Sequence, residues 1–384
     1  MLNLEFLNAQ GLWFTYYGLD PVSGKPQHCD AAGNAVPSVP SEKPTDALSF
    51  PVKGLSRLGP LRFPMLNAAR LYLSDKPLWL TVDPQGNAIP PRPQDPHDSN
   101  YGTRWDFFEL TYIPVGPDGL FNLNLSNVQS CGLPLSYRVA GLEPSTRQPV
   151  DYQRGWLSGG FGKFLEAMRG NPDFQGLVLP GTDRVLAPGT AITAFKQGVI
   201  PQPLFDAQYL KMYCDQVWDR FENVDLTFVG DPPPDCNKFI TWVGLVQNER
   251  FMFTTNDLLL DPIVLSVPTT QDLFENNFNF CTSGRGAPGS LQENYANQLM
   301  GTLCAAFNRT VMLTVETLAN SSNCQWCKDK AAFYRDITTN HYAKEIHANC
   351  LDGLAYAFQS DDHCDVSSYV SVINPTLFQI TYEK

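Results

Sequence analysis

Carboxylates are the side chains of this 384-residue sequence that are best suited to acid–base chemistry. Glu109 lies within the aromatic segment 105–112, where a charged residue needs a reason. Apolar surroundings disfavour the ionised form, and a carboxyl that stays protonated near neutral pH can act as a general acid. The alternative is a structural ion pair between Glu109 and Arg70 or Arg104.

Two adjacent carboxylates, Asp361 and Asp362, follow the aromatic segment 356–358. Adjacent carboxylates repel each other unless they contact a ligand, a cation or separate partners. On their own they are better explained as a solvated turn. The sequence has no Gly-x-Ser-x-Gly, no HExxH pair and no phosphate-binding glycine loop, so we predict neither a metal nor a cofactor.

The segments around Glu109 are predicted to form a sheet. Residues 105–113 are predicted to be one long strand, with Glu109 and Thr111 on its odd face and Asp106 on its even face. Both faces are mostly apolar, which predicts that both are covered. The other predicted strands are 70–74 and 77–82, expected to be adjacent, followed by 120–124 and 133–139.

Helical patterns and a hairpin occupy the middle of the chain. Residues 206–222 and the stretch behind a capping box at Ser290 and Glu293 are predicted helices, and 238–247 with 249–254 a hairpin. The order predicts a mainly β fold with a mixed α/β portion. We expect residues 1–148 with 340–384 to form a β domain and 149–339 a mixed domain, flanking a binding cleft.

The charge balance and the absence of long apolar runs restrict the partners. A net charge of −12 gives no general attraction to phosphate backbones, so nucleic acid is excluded while a neutral polymer such as a polysaccharide stays open. No apolar run approaches the roughly 18 residues that span a bilayer. The first residues also lack the pattern of a secretory signal.

Ten cysteines, seven of them after position 230, point towards export. An even count in loop-rich segments is typical of disulfides in secreted proteins, so we predict that most of the seven are bonded and that the protein is extracellular. Cys324 and Cys327 are interpreted as a structural pair. The alternative is a set of buried free thiols.

An ordered set of short motifs resembles glycoside hydrolase family 64, whose members are β-1,3-glucanases related in fold to thaumatin-like proteins. The motifs are WDFFELT at 105–111, NLSNVQSCGLP at 124–134, RLYLS at 70–74, and a closing block with FNR at 307–309, NHYAK at 340–344 and GLAYAF at 353–358 before Asp361 and Asp362.

This resemblance implies a thaumatin-like β-barrel or sandwich domain and a mixed α/β domain flanking a wide acidic groove for β-1,3-glucan. Family members cleave with inversion, which uses two carboxyls about 6.5–9.5 Å apart. Glu109 matches the acid, whereas Gln129 stands where the family has its basic Asp. An amide cannot take the proton of the water, although it can orient the water. Asp361 and Asp362 are the substitute bases.

The resemblance also implies positions that contact the sugar, and these are Thr111, Asn124, Arg70, Tyr72 and His363. We expect Glu109 and Gln129 on neighbouring strands facing one groove, with Asp361 or Asp362 across it. Three hypotheses follow: an active glucan hydrolase, a glucan-binding protein that has lost the base, and a structural or toxin-like protein that reuses the fold.

Overall fold

The computed structural model describes residues 2–52, 61–232, 239–320 and 324–383, and the chain divides into two compact units. The first unit comprises Met1–Gln202, Glu345–Ala357 and Ser367–Lys384, and the second comprises Pro203–Lys344 and Phe358–Val366. These bounds differ from the predicted domains. Residues 149–202 belong to the first unit, and the segment 358–366 belongs to the second.

The first unit is built mainly from β-strands. Strands β1 to β8 are Leu2–Leu7, Trp13–Leu19, Pro26–Cys29, Ala35–Pro37, Ser41–Thr45, Ser49–Pro51, Leu61–Phe63 and Asn67–Ser74. Strands β9 to β15 are Leu80–Val82, Trp105–Val115, Asp118–Ser126, Ser130–Cys131, Leu135–Leu142, Pro149–Gly155 and Val185–Leu186. Helices α1 and α2 are Gly160–Gly170 and Pro188–Lys196, and the last strand, β22, is Val370–Tyr382.

Most of these strands join one sheet, in the order β14-β13-β22-β11-β10-β8-β2-β3-β4, with β1, β6 and β7 paired beside that path. The pairing is antiparallel except between β1 and β22. Its core is aromatic: the ring of Phe108 lies 5.6 Å from Tyr137 and 6.4 Å from Phe378, edge to face. Such packing contributes beyond the burial of apolar area.

Strand β10 is covered on both sides along only part of its length. Its even face is buried from Asp106 to Tyr112. Its odd face is buried at Trp105 and Phe107 but half-exposed at Glu109 and Thr111. The prediction that both faces are covered therefore holds only for the first half of the strand, and the second half leaves polar side chains open to solvent.

The predicted pairing of 70–74 with 77–82 is wrong. Strand β8 already pairs with β2 on one edge and with β10 on the other, so no edge is free for the next segment. Strand β9 pairs with β5 instead. The chain between β8 and β9 is held by side chains, because Leu78 N–H donates to Ser49 Oγ and Trp79 N–H donates to Asn100 Oδ1.

The second unit mixes helices with a second sheet. Its strands β16 to β21 are Leu226–Gly230, Ile240–Gln247, Arg250–Thr254, Ile263–Leu265, Cys281–Ser283 and Thr317–Ala319. Helices α3 to α6 are Lys211–Phe221, Thr270–Glu275, Leu291–Asn308 and Gln325–Lys328, and α7, His341–Asn349, begins in this unit and ends in the first. Short 3₁₀ turns occur in the first unit at Gln175–Leu177 and Leu351–Gly353 and in the second at Lys330–Ala332 and His363–Asp365. No helix in the described part of the chain combines the length and the apolar character needed to cross a bilayer.

The local predictions for this unit are largely confirmed. Ser290 caps α5, and its Oγ accepts from the amide of Glu293, but the Glu293 carboxylate accepts from Gly289 rather than from Ser290. Strands β17 and β18 form the expected hairpin, and the positive φ of Asn248 and Glu249 suits a two-residue turn. Lys238, at the predicted start of the hairpin, lies outside the described residues.

A buried ion pair holds the segment 358–366 in this unit. Arg309 Nη2 donates to Asp361 Oδ1 at 2.9 Å, and both side chains are fully buried. The guanidinium also lies 5.1 to 5.7 Å from the ring centres of three aromatic side chains: Trp326, Phe333 and Phe358. Removing one partner of such a pair leaves an uncompensated charge, which is strongly destabilising.

The prediction that most of the later cysteines are bonded is wrong for the described residues. One disulfide joins Cys327 to Cys364, and Cys324 of the predicted structural pair is free. The other described cysteines are free: Cys29, Cys131, Cys214, Cys281, Cys304, Cys324 and Cys350. Most of these are buried, where a thiol packs as a small apolar side chain. Cys236 lies outside the described residues.

We predict that Cys364→Ser lowers the free energy of unfolding by about 3–4 kcal/mol, because the bond closes a loop of 37 residues. Urea unfolding measures the loss. Cys281→Ser, at a half-exposed free thiol, serves as the control with little effect. A reductant should bring the wild type to the stability of Cys364→Ser and leave that variant unchanged; equal stability of wild type and variant without reductant would contradict the bond.

Candidate active site

Three polar residues of neighbouring strands form one row across the large sheet. Glu109 of β10 lies directly opposite Arg70 of β8 on one side and Asn124 of β11 on the other. Residues opposite each other in antiparallel strands point to the same face, so the three side chains share one surface. In the next row on that face, Thr111 lies opposite Asn122.

These rows line a surface cleft of about 420 Å³. Small side chains at Ala68 and Ala69 of β8 and the half-exposed Tyr369 also line it. Its polar lining residues are Arg70, Glu109, Thr111, Asn122 and Asn124. One carboxyl, one guanidinium and several amide and hydroxyl groups suit a polar, uncharged ligand.

Glu109 is both ion-paired and accessible. Arg70 Nη2 lies 3.7 Å from Glu109 Oε1, and the two side chains are 29% and 42% exposed. The guanidinium also stacks over Phe107, 5.1 Å from the ring centre, which fixes its place beside Glu109. The surroundings of Glu109 are thus polar rather than apolar as we expected, because the apolar face of this half of β10 is the even one.

Asn124 carries an unused hydrogen-bond acceptor. Its Oδ1 is buried and has no partner among the residues that the structure describes. The neighbouring Asn122 is already engaged, because Ser371 Oγ donates to its Oδ1 at 2.7 Å. A buried acceptor without a partner carries a free-energy cost that a ligand hydroxyl would remove. Asn124 is therefore suited to receive such a hydroxyl.

Tyr72 does not reach the cleft, contrary to its predicted role in ligand contact. Its side chain is 1% exposed and stacks on Phe107 at 5.2 Å between ring centres. Burial raises the pKa of Tyr72, so its hydroxyl stays protonated at neutral pH. It supports Phe107 and Arg70 from beneath.

Gln129 lies in the bend between β11 and β12 and not on a strand beside Glu109, so this part of the geometric prediction is wrong. It is half-buried, and its carbonyl accepts from the amide of Ala187 at 3.0 Å. It is not one of the residues that line the cleft. The bend follows β11 beyond Ser126, which pairs with Phe107 of β10.

A buried carboxyl that we did not single out holds the chain just after Gln129. Asp106 accepts from the amides of Gly132 and Leu133, the latter at 2.7 Å. Burial raises the pKa of Asp106 to about 8, against the effect of these donors and of Arg184. A charged residue on an apolar strand face, the signal that singled out Glu109, was equally present at Asp106.

The second unit holds the remaining predicted site residues. Asp361 is fully buried against Arg309, so it cannot contact solvent water, and the structure argues against it as a base. The Asp362 side chain is 64% exposed, and the neighbouring His363, with Nδ1 3.6 Å from Asp362 Oδ1, holds the pKa of Asp362 below its ordinary value. His363 is nearly buried, with Nδ1 at 2.9 Å from the Ser360 carbonyl and Nε2 at 3.2 Å from Thr302 Oγ1.

The site has no arrangement for a metal in the described part of the chain. No group of three or more His, Cys, Asp or Glu side chains there is placed to hold a metal ion. The chemistry available is proton transfer by Glu109, with Arg70 beside it.

Comparison with known proteins decides the family. The family model described as beta-1,3-glucanase, glycoside hydrolase family 64, matches residues 2–382. The chain belongs to glycoside hydrolase family 64. A glucan endo-1,3-beta-glucosidase of Cellulosimicrobium cellulans and one of Arthrobacter sp. (strain YCWD3) are each 25% identical to it over 329 residues. Each match covers 84% of this chain and 53% of the relative, so the chain spans about half the length of these family members.

Solved structures of the family share the fold. A laminaripentaose-producing beta-1,3-glucanase crystallised in complex with laminaritetraose is 22% identical, with a TM-score of 0.74 over 100% of this chain and 98% of its own. The beta-1,3-glucanase domain of a Clostridium beijerinckii protein is 21% identical, with a TM-score of 0.71 over 99% and 97%. The mainly β architecture with some helices is thus that of the family.

We predict that Asp106 gives the stability of this family member a distinct pH dependence. An unfolded Asp titrates near about 3.9, whereas burial raises the pKa of Asp106 to about 8. The stabilising effect of the protonated carboxyl is complete below pH 3.9 and is lost as the pH rises through 8. Between these pH values the free energy of unfolding of the wild type should fall with rising pH by up to about 1.4 kcal/mol per pH unit more than that of Asp106→Asn. Urea unfolding from pH 4 to 8 measures both slopes; equal slopes would contradict a buried, protonated Asp106.

Proposed function

We propose that the protein binds β-1,3-glucan and hydrolyses it, with Glu109 as the general acid. The observation that carries the proposal is the row of Arg70, Glu109 and Asn124 in a solvent-open cleft. The motif resemblance, which matches Glu109 to the family's acid, supports the role of Glu109. Family membership and the glucan endo-1,3-beta-glucosidase relatives support the reaction class. The complex of a fold relative with laminaritetraose supports the substrate.

In the proposed reaction Glu109 gives its proton to the glycosidic oxygen as the bond from that oxygen to the anomeric carbon breaks. A water attacks the anomeric carbon from the opposite face, which inverts its configuration, and the proton that this water loses passes to a base or, where none is in place, to solvent water. Arg70 keeps the carboxyl group of Glu109 in place and neutralises it once the proton has left. Asn124 and Thr111 would bind sugar hydroxyls through their side-chain oxygens and nitrogen.

The site has no carboxylate at the position where the family has its general base. Gln129 can orient a water but cannot take its proton. Asp361 is locked to Arg309, which leaves Asp362, exposed and held in its ionised form, as the carboxylate candidate. We propose that Gln129 occupies the base position and that turnover is consequently slow. Binding without hydrolysis is the second candidate function, favoured by the amide at this position.

The remaining features of the proposal follow from the substrate. A glucan is a neutral polymer, which is compatible with the net charge of −12. We propose that it lies in an acidic groove of a thaumatin-like β scaffold, and that the protein works outside the cell, where such polysaccharides occur. No cofactor takes part in this reaction.

Glu109→Gln should abolish laminarin hydrolysis, because the amide has no proton to give to the leaving oxygen. A general acid contributes roughly 10²–10⁴-fold, so we expect a loss of that size in kcat, measured as released reducing ends. Laminarin binding, measured by calorimetry, should persist because the side chain keeps its shape. Glu166→Gln, on the exposed face of α1, is the matched control and should change neither value. Retained hydrolysis in Glu109→Gln would reject Glu109 as the acid.

Gln129→Asp should raise kcat, by up to roughly 10²–10⁴-fold, because it supplies a proton acceptor where the family has one. Gln129→Asn is the matched control, since it shortens the side chain equally without adding a carboxylate.

Brisk hydrolysis by the wild type that is lost in Asp362→Asn would instead make Asp362 the base. Binding with no hydrolysis by any of these variants would favour the binding function, and neither binding nor hydrolysis would favour a structural or toxin-like protein.

A further inference from the structure

We infer that Asp106 is a positioning residue for the reaction, acting through the bend that carries Gln129. The inference deepens the proposed function and rests on it. Asp106 and Glu109 lie three residues apart on β10 and point to opposite faces of the sheet. One strand therefore presents the acid to the cleft and anchors the chain that carries the base position.

The carboxyl group of Asp106 is engaged by two backbone amides. Both of its oxygens lie 3.1 Å from the amide nitrogen of Gly132, and Oδ2 also accepts from Leu133 at 2.7 Å. The side chain is 1% exposed, so water does not compete for these bonds. Gly132 and Leu133 come three and four residues after Gln129, which is too short a span for the bend to move independently.

Gly132 makes the close approach possible. A Cβ added at this position would lie 3.1 Å from the carbonyl oxygen of Trp105 and 3.3 Å from its amide nitrogen. Both distances are shorter than ordinary contacts, and both partner atoms belong to the backbone of β10. Any larger residue would therefore push the bend away from the strand that carries Glu109.

The other side of the bend is held as well. Ala187 N–H donates to the carbonyl of Gln129, and β12 pairs with β15 at Ser130 and Cys131. Next to β15, Arg184 is fully buried and donates to three backbone carbonyls, those of Pro93, Tyr101 and Thr103. The main chain of Gln129 is thus fixed from two directions, through Ala187 and through Asp106.

This geometry gives Asp106 a kinetic role beyond stability. A displacement of about 1 Å in a group that positions a reacting water can cost 10²-fold in rate. Asp106→Ala removes both carboxyl oxygens, which frees the amides of Gly132 and Leu133 and loosens the bend. The side chain at 129 would then lose its fixed distance from Glu109, although Asp106 touches neither substrate nor water.

The test is a double-mutant cycle on laminarin hydrolysis. The gain in kcat from Gln129→Asp is measured in the wild-type background and again with Asp106→Ala. We expect the gain to shrink by about tenfold or more in the second background. Gly132→Ala, which keeps every hydrogen-bonding group and disturbs the fold less, should shrink it in the same direction. An equal gain in all backgrounds would overturn the positioning role.

Two matched variants control for stability, and amide exchange tests the anchor without activity. Asp272→Ala removes a buried carboxylate that accepts from the Thr269 amide, and Gly170→Ala adds a Cβ in open space; both should leave the gain unchanged. Hydrogen exchange in residues 127–134 should accelerate in Asp106→Ala and Gly132→Ala only. Unchanged exchange would overturn the anchor. Accelerated exchange without hydrolysis by any variant would overturn the proposed function instead, while the anchor itself would stand.

Discussion

The register of strand β10 against β8 and β11 is the constraint on which the site depends. It aligns Arg70, Glu109 and Asn124 in one row. Side chains alternate along a strand, so a slip by one residue would bring Phe108 or Leu110 into the cleft and bury Glu109. The packing of the even-face residue Phe108 against Tyr137 and Phe378 opposes this slip. The aromatic core therefore determines which side chains are available for chemistry.

The two acidic residues of β10 illustrate how environment separates roles. Glu109 lies on the open face beside a cation, where it can meet a ligand. Asp106 lies on the closed face, bonded to two backbone amides, and burial raises its pKa to about 8. Pairs of carboxyls in different surroundings commonly divide the work of an acid–base site. Here the proposed division is between a group that transfers a proton, Glu109, and a group that holds the chain in place, Asp106.

Local patterns in the sequence predicted what depends on local geometry. Alternation along β10 placed Glu109 and Thr111 on one face, and the Ser290 cap and the β17–β18 hairpin followed from short-range rules. Distant packing could not be predicted in this way. Asp361 meets Arg309 across 52 residues, Cys327 bonds Cys364 rather than Cys324, and β9 is excluded by strands that already flank β8. The motif around Gln129 indicated that this residue matches the family's base position. The location of Gln129 in a bend depends on hydrogen bonds with distant parts of the chain, through Asp106 and Ala187.

A crystal structure of Glu109→Gln with a bound laminari-oligosaccharide tests the central claim most directly, because substrate then survives in the site. The account predicts a glycosidic oxygen within about 3 Å of the residue 109 side chain and a sugar hydroxyl bonded to Asn124 Oδ1. It also predicts that the bend at Gln129 stays bonded to Asp106. Sugar bound elsewhere, with the cleft around Arg70 and Asn124 empty, would contradict the account.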